Sequence, residues 1–296
     1  MQKVLGILII SVLVGCSSPT PQPTILDTED YELHLTGDPT STLLIIFPGL
    51  GQIVEQVKES FEILDLAAKQ NISVLMMEFN HRLHLDPKDE ESLNSLLEKV
   101  VSENKLTPEE IVIGGFSSGG IISVLWGNVL IADNHPSQPD QIFVIDSPLD
   151  LKELYIHVVN IDSTAHALSK EESIFLTDYF AKVFPESVDV LEDIPSISPY
   201  DFASGSLKDI SNLKDIPVRV YTEPDSTWWR VNRGFEFEAT NGFQLTRFAE
   251  FAQSEGWDKL ELIQTKNKGY RPNGDRHPHS WSIVDVAEIL EWIEKK

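Results

Sequence analysis

The chain has 296 residues, of which 41% are hydrophobic and 24% are charged, which is the composition of a globular protein long enough to bury a large core. Its formal net charge is −24. This acid excess argues against nucleic acid or an anionic membrane surface as a charge-driven partner, because phosphate binding requires clustered Lys and Arg side chains.

The first sixteen residues differ in kind from the rest of the chain. Lys3 is followed by an apolar run over residues 4–14 and then by Gly15 and Cys16. A run of this length is too short for a permanent transmembrane helix, and it has the charge, apolar centre and small-residue end of a secretory signal peptide. Residues 1–15 are therefore predicted to be a signal peptide.

The end of this segment, Leu13-Val14-Gly15-Cys16, resembles the lipobox of bacterial lipoproteins, in which the signal is cut before the cysteine and the thiol is lipid-modified. The resemblance implies a membrane anchor at Cys16 in the cell envelope. Because no Asp follows the cysteine, it also implies the outer membrane of a Gram-negative bacterium. A plain secretion signal with an incidental cysteine is the alternative. Residues 16–28, which begin with a stretch rich in Ser, Pro and Thr, are predicted to be a flexible tether.

The part from residue 29 to residue 296 is predicted to be one domain that contains six buried strands. Each strand is a short apolar burst closed by Gly, Pro or charged residues, as in a mainly parallel sheet. The bursts lie at 43–47, 74–77, 111–113, 142–145, 218–221 and 260–263. Residues 31–35 alternate between apolar and polar side chains and predict an additional antiparallel strand at the edge of the sheet.

Between the bursts, apolar residues recur at spacings of three and four, which predicts helices around 53–64, 93–101 and 286–293. Strands that alternate with helices predict an α/β fold with a mainly parallel central sheet and flanking helices. From about 151 to 215 no strand pattern occurs, but helical patterns do. This interval is predicted to be a helical cap insertion, with a peripheral decoration that plays no part in the site as the alternative.

The segment from Ile111 to Gly120 predicts a strand, a tight turn and a helix. Ser117 lies at the centre of Gly115-Phe116-Ser117-Ser118-Gly119, which has the Gly-x-Ser-x-Gly spacing of a nucleophile elbow. A serine hydroxyl is a poor nucleophile unless a base takes its proton and dipoles hold the resulting oxyanion. The amide of Ser118, in the first turn of the helix, is predicted to be one of these dipoles.

With this elbow, residues 29–296 resemble the α/β-hydrolase fold, and the resemblance implies a catalytic triad in the chain order Ser, acid, His. It also implies a second oxyanion donor after an earlier strand, where Pro48-Gly49-Leu50-Gly51 is found. We assign this second donor to the amide of Leu50.

The acid is expected after the strand that follows the insertion, and Asp225 occupies that place. Glu223, which lies nearer the strand, is one alternative. Asp146, at the end of the preceding strand, is the other alternative, since some members of the family place the acid one strand earlier.

For the base, the segment His277-Pro278-His279 offers two imidazoles. We assign the base to His279, because it lies closer to the last helix, and keep His277 as the alternative. His-x-His beside an aspartate is also compatible with a metal, but no second cluster of ligands supports a zinc site, so neither a metal nor another cofactor is expected.

Aromatic residues flank both the predicted acid and the predicted base. Trp228, Trp229 and Arg230 follow the acid and Trp281 follows the base, so these residues are candidates for lining a substrate pocket and for stacking on a sugar or an aromatic acyl group. The resemblance implies a serine hydrolase that cleaves a carboxylic ester of a small molecule or an acylated glycan through an acyl-enzyme. An amidase or peptidase with the same triad and a non-catalytic surface binding module are the alternatives.

Overall fold

The computed structural model of the chain describes residues 24–161 and 166–295. The predicted signal peptide and the lipobox cysteine Cys16 lie outside the described residues. Within the described ranges, no helix has both the length and the apolar character that crossing a membrane requires.

The centre of the fold is an eight-stranded sheet with the spatial order β1-β2-β4-β3-β5-β6-β7-β8. β1 and β2 pair antiparallel, β2 pairs antiparallel with β4, and every other pair is parallel. The predicted fold class, a mainly parallel sheet flanked by helices, is therefore confirmed. The strands are β1 (Thr24–Asp27), β2 (Tyr31–Leu35), β3 (Thr42–Phe47), β4 (Ile72–Met77), β5 (Ile111–Phe116), β6 (Gln141–Ile145), β7 (Val218–Thr222) and β8 (Leu260–Gln264).

The sheet begins earlier in the chain than the sequence pattern indicated. Residues 24–27, which were predicted to belong to the tether, form β1, in which Thr24 lies opposite Leu35 of β2. The predicted edge strand at 31–35 is therefore second from the edge. β1 is mostly exposed, so it is held by backbone hydrogen bonds and not by burial, and it leaves no apolar pattern in the sequence.

Helices cover both faces of the sheet. The pattern at 53–64 corresponds to two helices and not one, because the chain turns at Phe61, whose buried ring stacks on Trp281 with the ring centroids 4.9 Å apart. The helices are α1 (Val54–Ser60), α2 (Leu64–Lys69), α3 (Pro87–Glu103), α4 (Ser118–Ala132), α5 (Leu151–Val159), α6 (Ala167–Val183), α7 (Val190–Asp193), α8 (Ser226–Arg233), α9 (Asn241–Ser254) and α10 (Val286–Glu294).

Each face of the sheet has its own hydrophobic core, as β5 illustrates. Ile111 and Ile113 belong to one buried cluster, whereas Val112 belongs to the other, because successive side chains of a strand point to opposite faces. Every residue of β5 is buried. Burial on both faces explains why the central strands were visible in the sequence as continuous apolar bursts.

The interval between β6 and β7 contains α5, α6 and α7 and is attached to the rest of the molecule by polar contacts as well as packing. On α6, the hydroxyl of Tyr179 accepts a hydrogen bond from the amide of Leu83 at 2.9 Å and contacts Nδ1 of His84 at 2.8 Å. Burial lowers the pKa of His84, so this imidazole stays neutral. These contacts fasten the insertion to the loop that follows β4.

Candidate active site

The turn between β5 and α4 holds Ser117 in a strained conformation. Its φ is +54° and its ψ is −121°, a combination that costs a residue other than glycine about 1–3 kcal/mol. The amide of Ser117 donates to the carbonyl oxygen of Ile145 at 2.9 Å, which ties the turn to β6. Ser117 therefore lies at the carboxyl edge of the parallel strands, directly before a helix.

Two glycines make this turn sterically feasible. A Cβ atom on Gly115 would collide with the backbone of Gly119, and a Cβ atom on Gly119 would collide with the carbonyl oxygens of Phe47 and Pro48. The Gly-x-Ser-x-Gly spacing is therefore required by the close approach of β5, α4 and the loop after β3.

His279 contacts the carboxylate of Asp146. Nδ1 of His279 lies 2.7 Å from Oδ2 of Asp146, which is buried. The other carboxylate oxygen, Oδ1, accepts a hydrogen bond from the hydroxyl of Thr222 at 2.7 Å, and the backbone carbonyl of Asp146 accepts one from Asn241. Because a carboxylate accepts hydrogen bonds, Nδ1 of His279 carries the proton and Nε2 is left as the basic nitrogen.

This contact corrects the predicted position of the acid. Asp225 does not contact His279; its Oδ1 caps α8 by accepting from the amide of Trp228 at 2.9 Å, and its Oδ2 accepts from Arg276 at 2.9 Å. The N-terminus of α8 and the guanidinium of Arg276 both attract this carboxylate away from the base. Asp146 directly follows β6, which is the strand next to β5, and therefore lies one strand nearer Ser117.

Glu223, the other alternative acid, is also engaged elsewhere. Its buried carboxylate pairs with Arg276 and accepts hydrogen bonds from the amides of Lys268 at 2.8 Å and Gly269 at 2.9 Å. Glu223 and Asp225 together hold the loop that leads to His279, and the guanidinium of Arg276 links them.

His277, the alternative base, faces a different environment. Its ring lies between Trp228 and Trp229, at centroid distances of 4.5 Å and 5.7 Å, and its Nε2 lies 3.4 Å from a guanidinium nitrogen of Arg233. Burial, together with the neighbouring positive charges, lowers the pKa of His277 from 6.5 to about 3. This histidine is therefore neutral, and no carboxylate of the described residues pairs with it.

A pH-dependent loss of stability follows from this burial. Below pH 6.5 the unfolded imidazole binds a proton, whereas the folded one stays neutral down to about pH 3. The free energy of unfolding should therefore fall with decreasing pH in that window, by up to about 1.4 kcal/mol per pH unit from this group. Urea denaturation at about pH 7 and about pH 5 should show a smaller loss in His277→Gln, which keeps an acceptor for Arg233. Equal losses in the two proteins would contradict this origin.

Of the two predicted oxyanion donors, Ser118 directly follows Ser117 in the chain and Leu50 lines the same cavity as Ser117. Ser118 is the first residue of α4, and Leu50 lies in the loop after β3. Among the described residues, neither amide has a hydrogen-bond acceptor. Both N–H groups are therefore available to a ligand atom that carries negative charge.

Gln52, which is not among the site residues predicted from the sequence, shapes the loop that contains Leu50. Its Oε1 accepts from the amide of Gly49 at 3.0 Å and from Nε1 of Trp281 at 3.2 Å, while its backbone carbonyl accepts from Asn80 at 2.7 Å. Gln52 directly follows the Pro-Gly-Leu-Gly segment. A polar side chain next to the predicted oxyanion loop was the feature of the sequence that could have identified it.

Ser117 and His279 both line a cavity of about 320 Å³. Its wall is mainly apolar and comes largely from the insertion and from the region after α8; it includes Leu83, Leu154, Val158, Leu176, Trp229 and Phe235. Residues of the insertion therefore form part of the wall of this cavity.

The aromatic candidates are divided among different surroundings. Trp229 lines the cavity, whereas Trp228 packs on His277 and Arg230 is exposed, 3.8 Å from Glu236. Trp281 is buried and contributes to a neighbouring cavity.

Neither a family model nor a curated protein matches the chain. Solved structures do match. Carboxyl esterase 2 from the mycorrhizal fungus Tuber melanosporum is 16% identical, with a TM-score of 0.50 over 95% of this chain and 87% of the esterase. The substrate-bound fluorophosphonate-binding serine hydrolase F of Staphylococcus aureus is 12% identical, with a TM-score of 0.53 over 90% of this chain and 92% of the hydrolase.

A third similar structure is esterase 2 of Thermogutta terrifontis phosphoramylated by tabun, which is 12% identical, with a TM-score of 0.50 over 93% of this chain and 96% of the esterase. At these identities the likeness concerns the fold. The chain has the α/β-hydrolase fold over most of its length.

Proposed function

We propose that this protein is a serine hydrolase that cleaves carboxylic esters through an acyl-enzyme intermediate. The observation that carries the proposal is the 2.7 Å contact between Nδ1 of His279 and the carboxylate of Asp146, in a histidine that lines the same cavity as Ser117. A buried carboxylate on Nδ1 orients the imidazole and stabilises its protonated form. The strained turn at Ser117 presents the hydroxyl to that cavity.

The first half of the proposed reaction forms the acyl-enzyme. Nε2 of His279 takes the proton of the Ser117 hydroxyl as the oxygen bonds to the ester carbonyl carbon, and the carbonyl electron pair moves onto its oxygen. The amides of Leu50 and Ser118 donate to that oxyanion. When the carbon–oxygen bond to the alcohol breaks, the alcohol oxygen takes the proton from Nε2.

In the second half, water takes the place of the alcohol. Nε2 of His279 removes a proton from water, the resulting hydroxide attacks the acyl carbon, and the carboxylic acid leaves as Ser117 regains its proton. Asp146 is not itself protonated in these steps; its role is to orient the imidazole of His279 and to stabilise the imidazolium. Two of the similar structures are esterases, which supports an ester over an amide as the bond that is cleaved.

The test uses one acyl group on two leaving groups. Hydrolysis of p-nitrophenyl butanoate should exceed hydrolysis of the matched p-nitroanilide, and a fluorophosphonate probe should label the protein at Ser117. A chain that hydrolyses neither substrate and is not labelled would refute the proposal and would favour a surface binding module that does not turn over a substrate.

The cavity around Ser117 predicts a preference for an apolar acyl group, because each methylene moved from water into an apolar wall stabilises the complex by about 0.8 kcal/mol. Ala239 lines this cavity as a small residue. Ala239→Phe should lower the octanoate-to-acetate ratio of kcat/KM for p-nitrophenyl esters by roughly tenfold, because the added ring occupies the space of several methylenes. Ala68→Phe, on the exposed side of α2, is the matched control. An unchanged ratio in Ala239→Phe would place the acyl group elsewhere.

We also propose that the protein is held at the cell envelope by a lipid on Cys16. The support is the lipobox-like segment Leu13-Val14-Gly15-Cys16 behind an apolar run. Mass spectrometry of the mature N-terminus from membranes should find Cys16 as the first residue with acyl chains attached. A mature form that is secreted without lipid would contradict the anchor.

A further inference from the structure

A second cavity, of about 550 Å³, adjoins the first. The two cavities share Leu50, Gln52, Phe116 and His279, but Ser117 belongs to the first cavity alone. The second cavity is bounded by the C-terminal half of α1 and by the loop at 270–273, which precedes His279. It therefore extends from the site on the side of the histidine.

The wall of the second cavity differs in chemistry from that of the first. Beyond the shared residues it is mostly polar, with Gln56, Glu59, Ser60, Arg271, Asn273 and Ser280. Arg271 and Glu59 carry opposite charges, and no ion pair joins either of them to another described residue. The opposite charges of Glu59 and Arg271 offset each other, so the wall favours neither an anion nor a cation, and its many hydrogen-bonding groups suit a neutral molecule with several hydroxyl groups.

Gln52 offers a hydrogen-bond donor where the two cavities meet. The amide of Gly49 and Nε1 of Trp281 can only donate hydrogen bonds, and both lie within 3.2 Å of the same terminal side-chain atom of Gln52. That atom must therefore be the acceptor Oε1 and not the nitrogen Nε2. The orientation of the side-chain amide is thereby fixed. Nε2 donates to no described residue, which leaves its two hydrogens for a ligand.

The proposed reaction places the leaving alcohol on the side of His279. The oxygen of the leaving alcohol must come within hydrogen-bonding distance of Nε2 of His279 to receive its proton. The apolar cavity beside Ser117 suits the acyl group, and the polar cavity beyond His279 remains for the alcohol. We propose that the second cavity binds the leaving alcohol, an inference that rests on the proposed ester hydrolysis. The alcohol is a neutral polyol, such as glycerol or a sugar, and Gln52 donates a hydrogen bond to it.

The test keeps the acyl group constant and changes the alcohol. With the full chain in detergent, kcat/KM is measured for 1-butanoylglycerol and for ethyl butanoate. The parent should favour the glycerol ester by about tenfold or more, since one or two additional hydrogen bonds contribute a factor of this order.

Two variants probe the cavity. Gln52→Glu keeps an acceptor for Gly49 and Trp281 but removes the donor, and Arg271→Ala removes an exposed side chain of the cavity wall. Each should lower the glycerol-to-ethyl ratio by about fivefold or more. Lys266→Ala, which removes a cation from the same loop region outside both cavities, is the matched control and should keep the parental ratio.

The two proposals fail in different ways. Equal rates on the two esters in the parent, or a ratio that neither variant lowers, would overturn the polyol cavity and leave the ester hydrolase standing. Absence of hydrolysis on both esters together with absence of fluorophosphonate labelling would overturn the hydrolase, and the polyol cavity with it.

Discussion

Replacement of Asp146 by alanine is expected to lower kcat/KM for p-nitrophenyl butanoate by roughly 10⁴-fold, as loss of the carboxylate does in serine hydrolases that use a triad. The physical reason is that the carboxylate fixes Nδ1 of His279 as the protonated nitrogen at 2.7 Å and stabilises the imidazolium that forms during attack. Steady-state kinetics on the purified variant measure the effect.

Asp225→Ala is the matched control for this prediction, since it removes a carboxylate from the next strand end. Asp225 caps α8 and pairs with Arg276, so its loss should change stability more than rate, with kcat/KM within about tenfold of the parent. The assignment of Asp146 would be wrong if Asp225→Ala were the more damaging of the two.

Ser117→Ala and His279→Gln should each lower kcat by roughly 10⁶-fold, and the double variant should be little worse, because nucleophile and base act as one unit. His277→Gln is the matched control for the base. His277 is buried against Trp228 and pairs with no carboxylate in residues 24–161 and 166–295, so this variant should keep the parental rate within a few-fold. A loss in His277→Gln equal to that in His279→Gln would reopen the choice between the two histidines.

The sequence predicted the parts of the fold that burial defines. β5 and its neighbours are covered on both faces, so their apolar bursts were recognisable, and the glycines at 115 and 119 marked a turn whose close packing excludes other residues. β1 could not be predicted in this way, because it is mostly exposed and is held by pairing with β2.

The position of the acid depends on contacts through space, which a single sequence does not contain. Asp146 and Asp225 both follow a buried strand, and chain position alone gave no physical reason to prefer the first. The distinguishing contacts are made by Arg276, which holds Asp225, and by Thr222, which donates to Asp146. Both partners are distant in sequence from the carboxylate that they contact: Arg276 lies 51 residues from Asp225, and Thr222 lies 76 residues from Asp146.

The adjacent tryptophans illustrate a second limit. Trp228 and Trp229 are consecutive on α8, and consecutive residues of a helix point in directions about 100° apart. Their rings are nearly perpendicular, at 88°, and only Trp229 lines the cavity of Ser117, while Trp228 packs on His277. The adjacency of the two tryptophans in the sequence therefore did not show which of them lines the cavity.

Whether Ser117 is an activated nucleophile is decided by the intact mass of the protein after incubation with a fluorophosphonate, followed by peptide mapping. We expect one covalent adduct, located on Ser117, and no adduct in Ser117→Ala. An unmodified parent, or an adduct on another residue that persists in Ser117→Ala, would refute the role of Ser117 as the nucleophile.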